Sequence, residues 1–333
     1  MTFIITPHKS LISYGESYRN QAYKANPMKY LIQSPLTNVL LFSIFWASEI
    51  FIAKIAFLNG AKVVQFSLQS FFLSLIILSL LVLPKKINNL KKIPFKILKW
   101  LLLANAILLG IGGFLGNLGI QLTTAVNAGF ITQFTIVTTT FFAFLILKEK
   151  ATITRVLSII MIMIGTYFLI TNGQLIFPHI GDLVLLFACI AWGLGPVLIK
   201  KVLKNTNVDP DIISFLRPVA GIPLLLFFIL FSPFYPPSIQ KIFQINIFEV
   251  RTIIYVILNA IFLSLTWIFA NRSLKVASAS YTVVMSSITP ILVSLLATIF
   301  LREQIKNMQF IGILLIIASG IFTQYQNINK AKI

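Results

Sequence analysis

Charge is what this 333-residue chain has least of: charged side chains make up 11% of it against 58% hydrophobic ones, and the mean hydropathy is +0.93. A soluble domain carries about 25% charged residues, so lipid must cover most of this surface. Acids are scarcer still, 8 against 27 lysines and arginines. The resulting net charge of +19 would suit a polyanion, but the bases sit in short gaps between apolar runs, which argues against nucleic acid. A single cysteine, Cys189, lies inside an apolar run and excludes an internal disulfide or a cysteine-based metal site. The two histidines, His8 and His179, lie in a tail and a loop, leaving no histidine site within the apolar segments. GxxxxGK[ST] is absent, and Gly110-Ile111-Gly112-Gly113 lies in an apolar run rather than after a strand, so neither ATP nor a dinucleotide is expected and no cofactor is implied. No nucleophile–base pair is visible, which disfavours an enzyme.

Long apolar runs are what the chain does have. A bilayer core takes roughly 17–25 apolar residues per helix. Such runs cover Asn38–Phe57, Val63–Leu83, Ile97–Ile120, Thr124–Leu147 and Ile153–Leu169, then Leu183–Ile199, Ile212–Phe231, Thr252–Ala270, Ser280–Leu301 and Met308–Thr323. The reading is an all-α integral membrane protein of ten transmembrane helices. Residues 1–37 and 326–333 are expected to be polar tails, and Phe3–Ile5 is too short for the core of a signal peptide. With the N-terminus inside, 20 of the 27 basic residues fall on the inner side, which by the positive-inside rule makes both termini cytoplasmic in a multi-pass cell membrane protein. Much of the positive charge then faces anionic headgroups of the bilayer.

Self-comparison exposes a repeat. A shift of 154 sets Leu147-Lys148-Glu149 on Leu301-Arg302-Glu303, Asn105-Ala106-Ile107 on Asn259-Ala260-Ile261, Asn117 on Asn271 and Thr135 on Thr289. A shift of 146 sets Trp46 on Trp192 and Lys54 on Lys200. Residues 38–170 and 180–325 thus form two five-helix halves, and because five is odd the second must enter the membrane upside down. Inverted repeats suit alternating access, with the substrate site near the midplane between the halves.

The paired tryptophans, the Leu-Lys-Glu and Leu-Arg-Glu corners, the glycine-bearing helices that follow them (Gly165; Gly312 and Gly320) and the stretch Ser287-Ile288-Thr289-Pro290 resemble the EamA-type drug/metabolite transporter superfamily. The resemblance covers about Asn38 to Thr323. It implies two inverted five-helix repeats, secondary transport of a small polar metabolite such as an amino acid, with export favoured, and a central cavity lined by the third, fourth and ninth helices. That makes Asn117, Asn127, Gln133, Tyr281 and Ser287 candidate substrate-binding residues. Import, exchange, and efflux of amphipathic compounds are alternatives within it; a scaffold or sensor is the alternative outside it. The chain departs from the pattern at Ile136, opposite Pro290, so a proline hinge is expected in the second half alone.

Two charges sit where the bilayer makes them costly. Glu49 lies half-way along the first helix, and a central ionisable group costs about 2.5–3.5 kcal/mol or more unless it faces a cavity. It reads as a proton-coupling site or counter-charge, or else as a structural hydrogen-bonding group. Arg217, with Gln69 as its apparent repeat partner, can clamp a carboxylate or phosphate bidentately or snorkel to headgroups. Trp46, Trp192 and Trp267 lie away from the interfaces where membrane tryptophans collect, and Trp46 shares a helix face with Glu49. They read equally as an aromatic wall or as core filling. Asn105 and Asn259 read as interhelical glue, and Gly112, Gly113, Gly116 and Gly119 as a close-packing stripe. The expected partners are a small-molecule substrate, the bilayer and protons as coupling ion, with the protein acting as a monomer or homodimer.

Overall fold

The computed structural model describes residues 34–148, 153–171, 179–243, 245, 252–303 and 305–331. Ten long helices follow in order: α1 (Pro35–Leu58), α2 (Val63–Lys91), α3 (Phe95–Leu122), α4 (Ala125–Leu147), α5 (Ile153–Thr171), α6 (Ile180–Lys204), α7 (Pro210–Leu230), α8 (Ile253–Val276), α9 (Ala279–Leu301) and α10 (Asn307–Ala331). Eight are long and apolar enough to cross a membrane; α5 and α10 are apolar over the shorter described stretches Val156–Gly165 and Asn307–Phe322. No strand occurs among the described residues. The N-terminal tail to residue 33 and Glu149 lie outside them.

Local chemistry sets several ends. Ser34 caps α1, its Oγ accepting from Thr37 N at 3.0 Å, with Pro35 in the first turn where its missing N–H costs nothing. Asp209 caps α7 in the same way, accepting from Asp211 N at 2.9 Å ahead of Pro210. At the two charged corners Lys148 (φ 53°) and Arg302 (φ 55°) both end their helices in the left-handed region, with repeat-equivalent N–H bonds back to Ala143 O and Ala297 O.

Two expectations from sequence need correction. α2 does not stop at Pro84 but continues to Lys91, leaving a turn of three residues, because Lys86 on the added stretch binds Asp209 (2.8 Å) and Asp211 (2.7 Å) of α7. Arg272 of α8 grips Asp211 from the other side through two bonds of 2.8 and 2.9 Å, so three helix ends are tied on the face that carries the α1 N-terminus. The break in the fourth and ninth helices, expected only at Pro290, is present in both. α4 is interrupted at Thr132–Gln133 and α9 at Ser286–Ile288. The cause is a pair of repeat-equivalent hydroxyls: Thr132 Oγ1 donates to Gly129 O and Ser286 Oγ to Val283 O, each at 2.7 Å. Such back-bonds compete with the helical ladder. Pro290 lies in the first turn of the helical segment after its break.

The halves are interlaced. α1 packs along α8 and α9, with α2 on α8; α6 packs along α3 and α4, with α7 on α3. Each half thus lends two helices to each of two bundles, α1–α2–α8–α9 and α3–α4–α6–α7. α5 and α10 pair at the periphery, where a Cβ on Gly165 would sit 2.8 Å from Gly312 O. Hydrogen bonds repeat with the helices: Asn117 Nδ2 donates to Ser67 Oγ at 2.8 Å, and its repeat mate Asn271 Nδ2 to Ser214 Oγ at 2.9 Å. Both bonds join one bundle to the other.

Candidate functional site

Between the bundles lies a cavity of about 830 Å³, its mouth included, walled by all the long helices except α5 and α10. Its shape owes much to irregular backbone. α3 contains a π-helical stretch, Ala106–Gly113, that supplies Leu108, Leu109 and Gly113 to the wall; widened turns of this kind collect at functional sites. Thr135 enters just after the α4 break, and Thr282 and Val283 just before the α9 break.

The structure brings Trp46, Glu49, Asn117, Trp192, Arg217 and Trp267 together on this wall. Gln69, Asn127, Gln133, Tyr281 and Ser287 are not among its lining residues. Gln69 is displaced because the register of the repeat differs by one position here: with Ser67 matching Ser214, Ser70 stands opposite Arg217. Asn127 turns toward α10, where its Oδ1 accepts from Gln309 Nε2 at 3.2 Å. Gln133 is 1% exposed at the α4 break, and neither of its amide atoms has a hydrogen-bond partner among the described residues. Tyr281 and Ser287 are partly buried on α9, and Pro290 is fully enclosed.

Arg217 is 7% exposed, and no carboxylate pairs with it among the described residues. Its Nε donates to Asn105 Oδ1 at 3.2 Å and its Nη2 to Asn271 Oδ1 at 3.5 Å, and the guanidinium lies 5.4 Å from the Trp267 ring centre. Amide oxygens orient it without neutralising it. Asn105, from sequence one half of a glue pair, is therefore an acceptor for the cavity's cation, held by its own bonds to Leu101 O (2.9 Å) and Ile213 O (3.4 Å). Asn259 remains glue, donating to the backbone oxygen of Glu49 at 3.3 Å. The Glu49 carboxylate itself, partly buried, has no hydrogen-bond or ion-pair partner among the described residues. The cavity thus presents one carboxyl group from the first bundle and one guanidinium from the second, neither of them ion-paired among the described residues.

The rest of the wall is aromatic. Trp46 stacks on Phe42 (5.3 Å) and meets Trp192 edge-on (6.0 Å). Trp192 owes its place to the glycine stripe of α3, since a Cβ at Gly116 would fall 2.4 Å from its ring and one at Gly112 2.8 Å. The stripe packs closely, as expected, but what it seats is the cavity wall. Gly116→Val is expected to drive the indole into the cavity, cutting flux at least about tenfold at an overpacking cost of about 1–3 kcal/mol. Flux together with a thermal midpoint checks this; unchanged flux would leave the stripe purely structural. Phe42, Phe71, Thr266 and Thr282 also line the site. Nothing in the sequence sets them apart from their neighbours.

Ten helices in two inverted, interlaced repeats around a polar-centred cavity define a polytopic membrane protein of the transporter kind. The EamA-like transporter family model matches residues 34–171 and 179–324, and the chain belongs to that family. It is 28% identical over 228 residues to an uncharacterized transporter of Archaeoglobus fulgidus, a match that spans 67% of this chain and 63% of that relative's length. A protein of known crystal structure superposes with a TM-score of 0.63 at 16% identity, covering 87% of this chain and 97% of that one, a likeness of fold alone.

Proposed function

We propose that the protein is a secondary transporter, working without ATP, that carries a small polar metabolite of the amino-acid kind through the cavity by alternating access. The supporting observation is a guanidinium and a carboxyl group on one cavity wall, neither ion-paired among the described residues: Arg217 suits a carboxylate, and Glu49 an ammonium or a coupling proton. A buried charge left unpaired is costly, and a substrate that supplies the counter-charge offsets the cost only while bound. Export is the favoured direction, from the family resemblance. The distribution of lysine and arginine supports cytoplasmic termini in the cell membrane, and the bundle is large enough to work as a monomer. The aromatic wall of Trp46, Trp192 and Trp267 supports a second reading, efflux of amphipathic compounds.

Reconstitution into liposomes tests the proposal. Labelled amino acids and other small organic acids should show saturable flux or counterflow with no ATP present. Absence of flux for every solute in both gradient and exchange modes would overturn it.

A further inference from the structure

At the end of α3 away from the α1 N-terminus, the last carbonyls have no partner within the helix. Lys54, on α1 and 8% exposed, fills that role: its Nζ donates to Ile120 O at 3.3 Å and to Thr123 O. An ammonium at a helix C-terminus also meets the negative end of the helix dipole. On the far side of the same turn, the N–H groups of Ala125 and Val126 each donate at 3.0 Å to the carboxylate of Glu303. The α3–α4 turn is therefore held from two sides, by a cation and by an anion. Both come from the other bundle, Lys54 from α1 and Glu303 from the end of α9. Thr123 adds a bond within its own bundle, its hydroxyl donating to Asp182 Oδ1 at 2.6 Å.

The opposite face carries the repeat-equivalent contact. Lys200 of α6, the repeat mate of Lys54, donates through Nζ to Leu274 O of α8 at 2.8 Å. Leu274 is the mate of Ile120 by the same shift that pairs Asn117 with Asn271. This bond also crosses between bundles, in the reverse sense. The cavity is unevenly placed between the two. Its lining reaches Leu274 and Thr282 beside the α8–α9 turn, whereas toward the α3–α4 turn it stops at Asn117, more than one helical turn short of Leu122.

Resting on the transporter reading, we propose that Lys54 and Glu303 are gate residues: they lock the α3–α4 turn across the bundle interface and seal the cavity on that face, and Lys200 at the α8–α9 turn is their counterpart on the other. Neither lysine contacts the substrate. Each trades an interbundle bond for water when its face opens, so the two sets of bonds set the balance between the two open states.

The test reads access rather than transport, so it separates from the flux experiment. A single cysteine, Thr266→Cys, is placed on the cavity wall in a Cys189→Ser background, and a membrane-impermeant maleimide is applied to one face at a time. Lys54→Met should raise labelling from the α3–α4 face about tenfold, the factor that one lost charge-assisted hydrogen bond carries, and lower it from the opposite face. Glu303→Gln, which keeps the side chain's size, should do the same more weakly, and Lys54→Arg should restore the closed pattern. Lys200→Met should act with the opposite sidedness. If Lys54→Met does not yield a monodisperse protein, Glu303→Gln carries the test. Labelling unchanged from both faces in Glu303→Gln and Lys54→Met overturns the proposal, as does a rise on one face with no fall on the other. A sided response in a protein that moves no solute would leave the gate standing and remove the transport reading.

Discussion

Replacing Arg217 by methionine is expected to abolish transport while making the protein more stable. The two effects have one cause. The guanidinium is enclosed, donates to the amide oxygens of Asn105 and Asn271, and lies over Trp267 with no acid paired to it among the described residues. An arginine buried without a counter-charge costs several kcal/mol even after relaxation, and methionine matches much of its length without that cost. The thermal midpoint should rise by about 1–2 °C for each kcal/mol relieved. Flux should fall by about a hundredfold or more if, as proposed, the substrate carries a carboxylate that Arg217 holds bidentately. Arg217→Lys separates charge from geometry: it keeps the cation but loses the planar fork, and flux should drop at least about tenfold. A purely structural arginine would show the reverse, lower stability and unaltered flux. Flux in liposomes and a melting curve in detergent decide between them.

The second large effect is expected at Glu49. Glu49→Gln keeps shape and hydrogen-bonding capacity but cannot take up or release a proton. If the carboxylate couples transport to protons, rates measured in liposomes from about pH 5 to 8 should lose their pH dependence in the variant. The carboxylate has no partner among the described residues, so the amide should be tolerated and the melting temperature held or raised. A pH response unchanged in Glu49→Gln would assign the residue a structural role. The Asn259 amide bonds the Glu49 backbone, not its side chain, so that packing contact survives the substitution and does not confuse the result.

Hydropathy, lysine placement and the offset of 154 were enough to read ten helices in two opposed halves, because burial in lipid forces every spanning segment to be long and apolar. The same offset marked Asn117 with Asn271, and the cost of intramembrane charge marked Glu49 and Arg217. These signals are local or periodic, so a linear chain carries them in full. Contacts between helices are neither. That the bundles are interlaced, that Asn105 serves Arg217 while Asn259 only packs, and that Ser70 rather than Gln69 is the repeat mate of Arg217 all depend on crossing geometry and on a one-residue register change. The breaks in α4 and α9 came from Thr132 and Ser286, hydroxyl residues common enough in membrane helices to pass unremarked beside Pro290. Lys54 stood out only as the repeat mate of Lys200, since nothing along the chain says that the carbonyls of Ile120 and Thr123 will lie within its reach. The fold class was thus set by how each segment meets its solvent, a property of composition. The cavity and its gates were decided by which helix ends meet, and only the folded bundle brings those ends together.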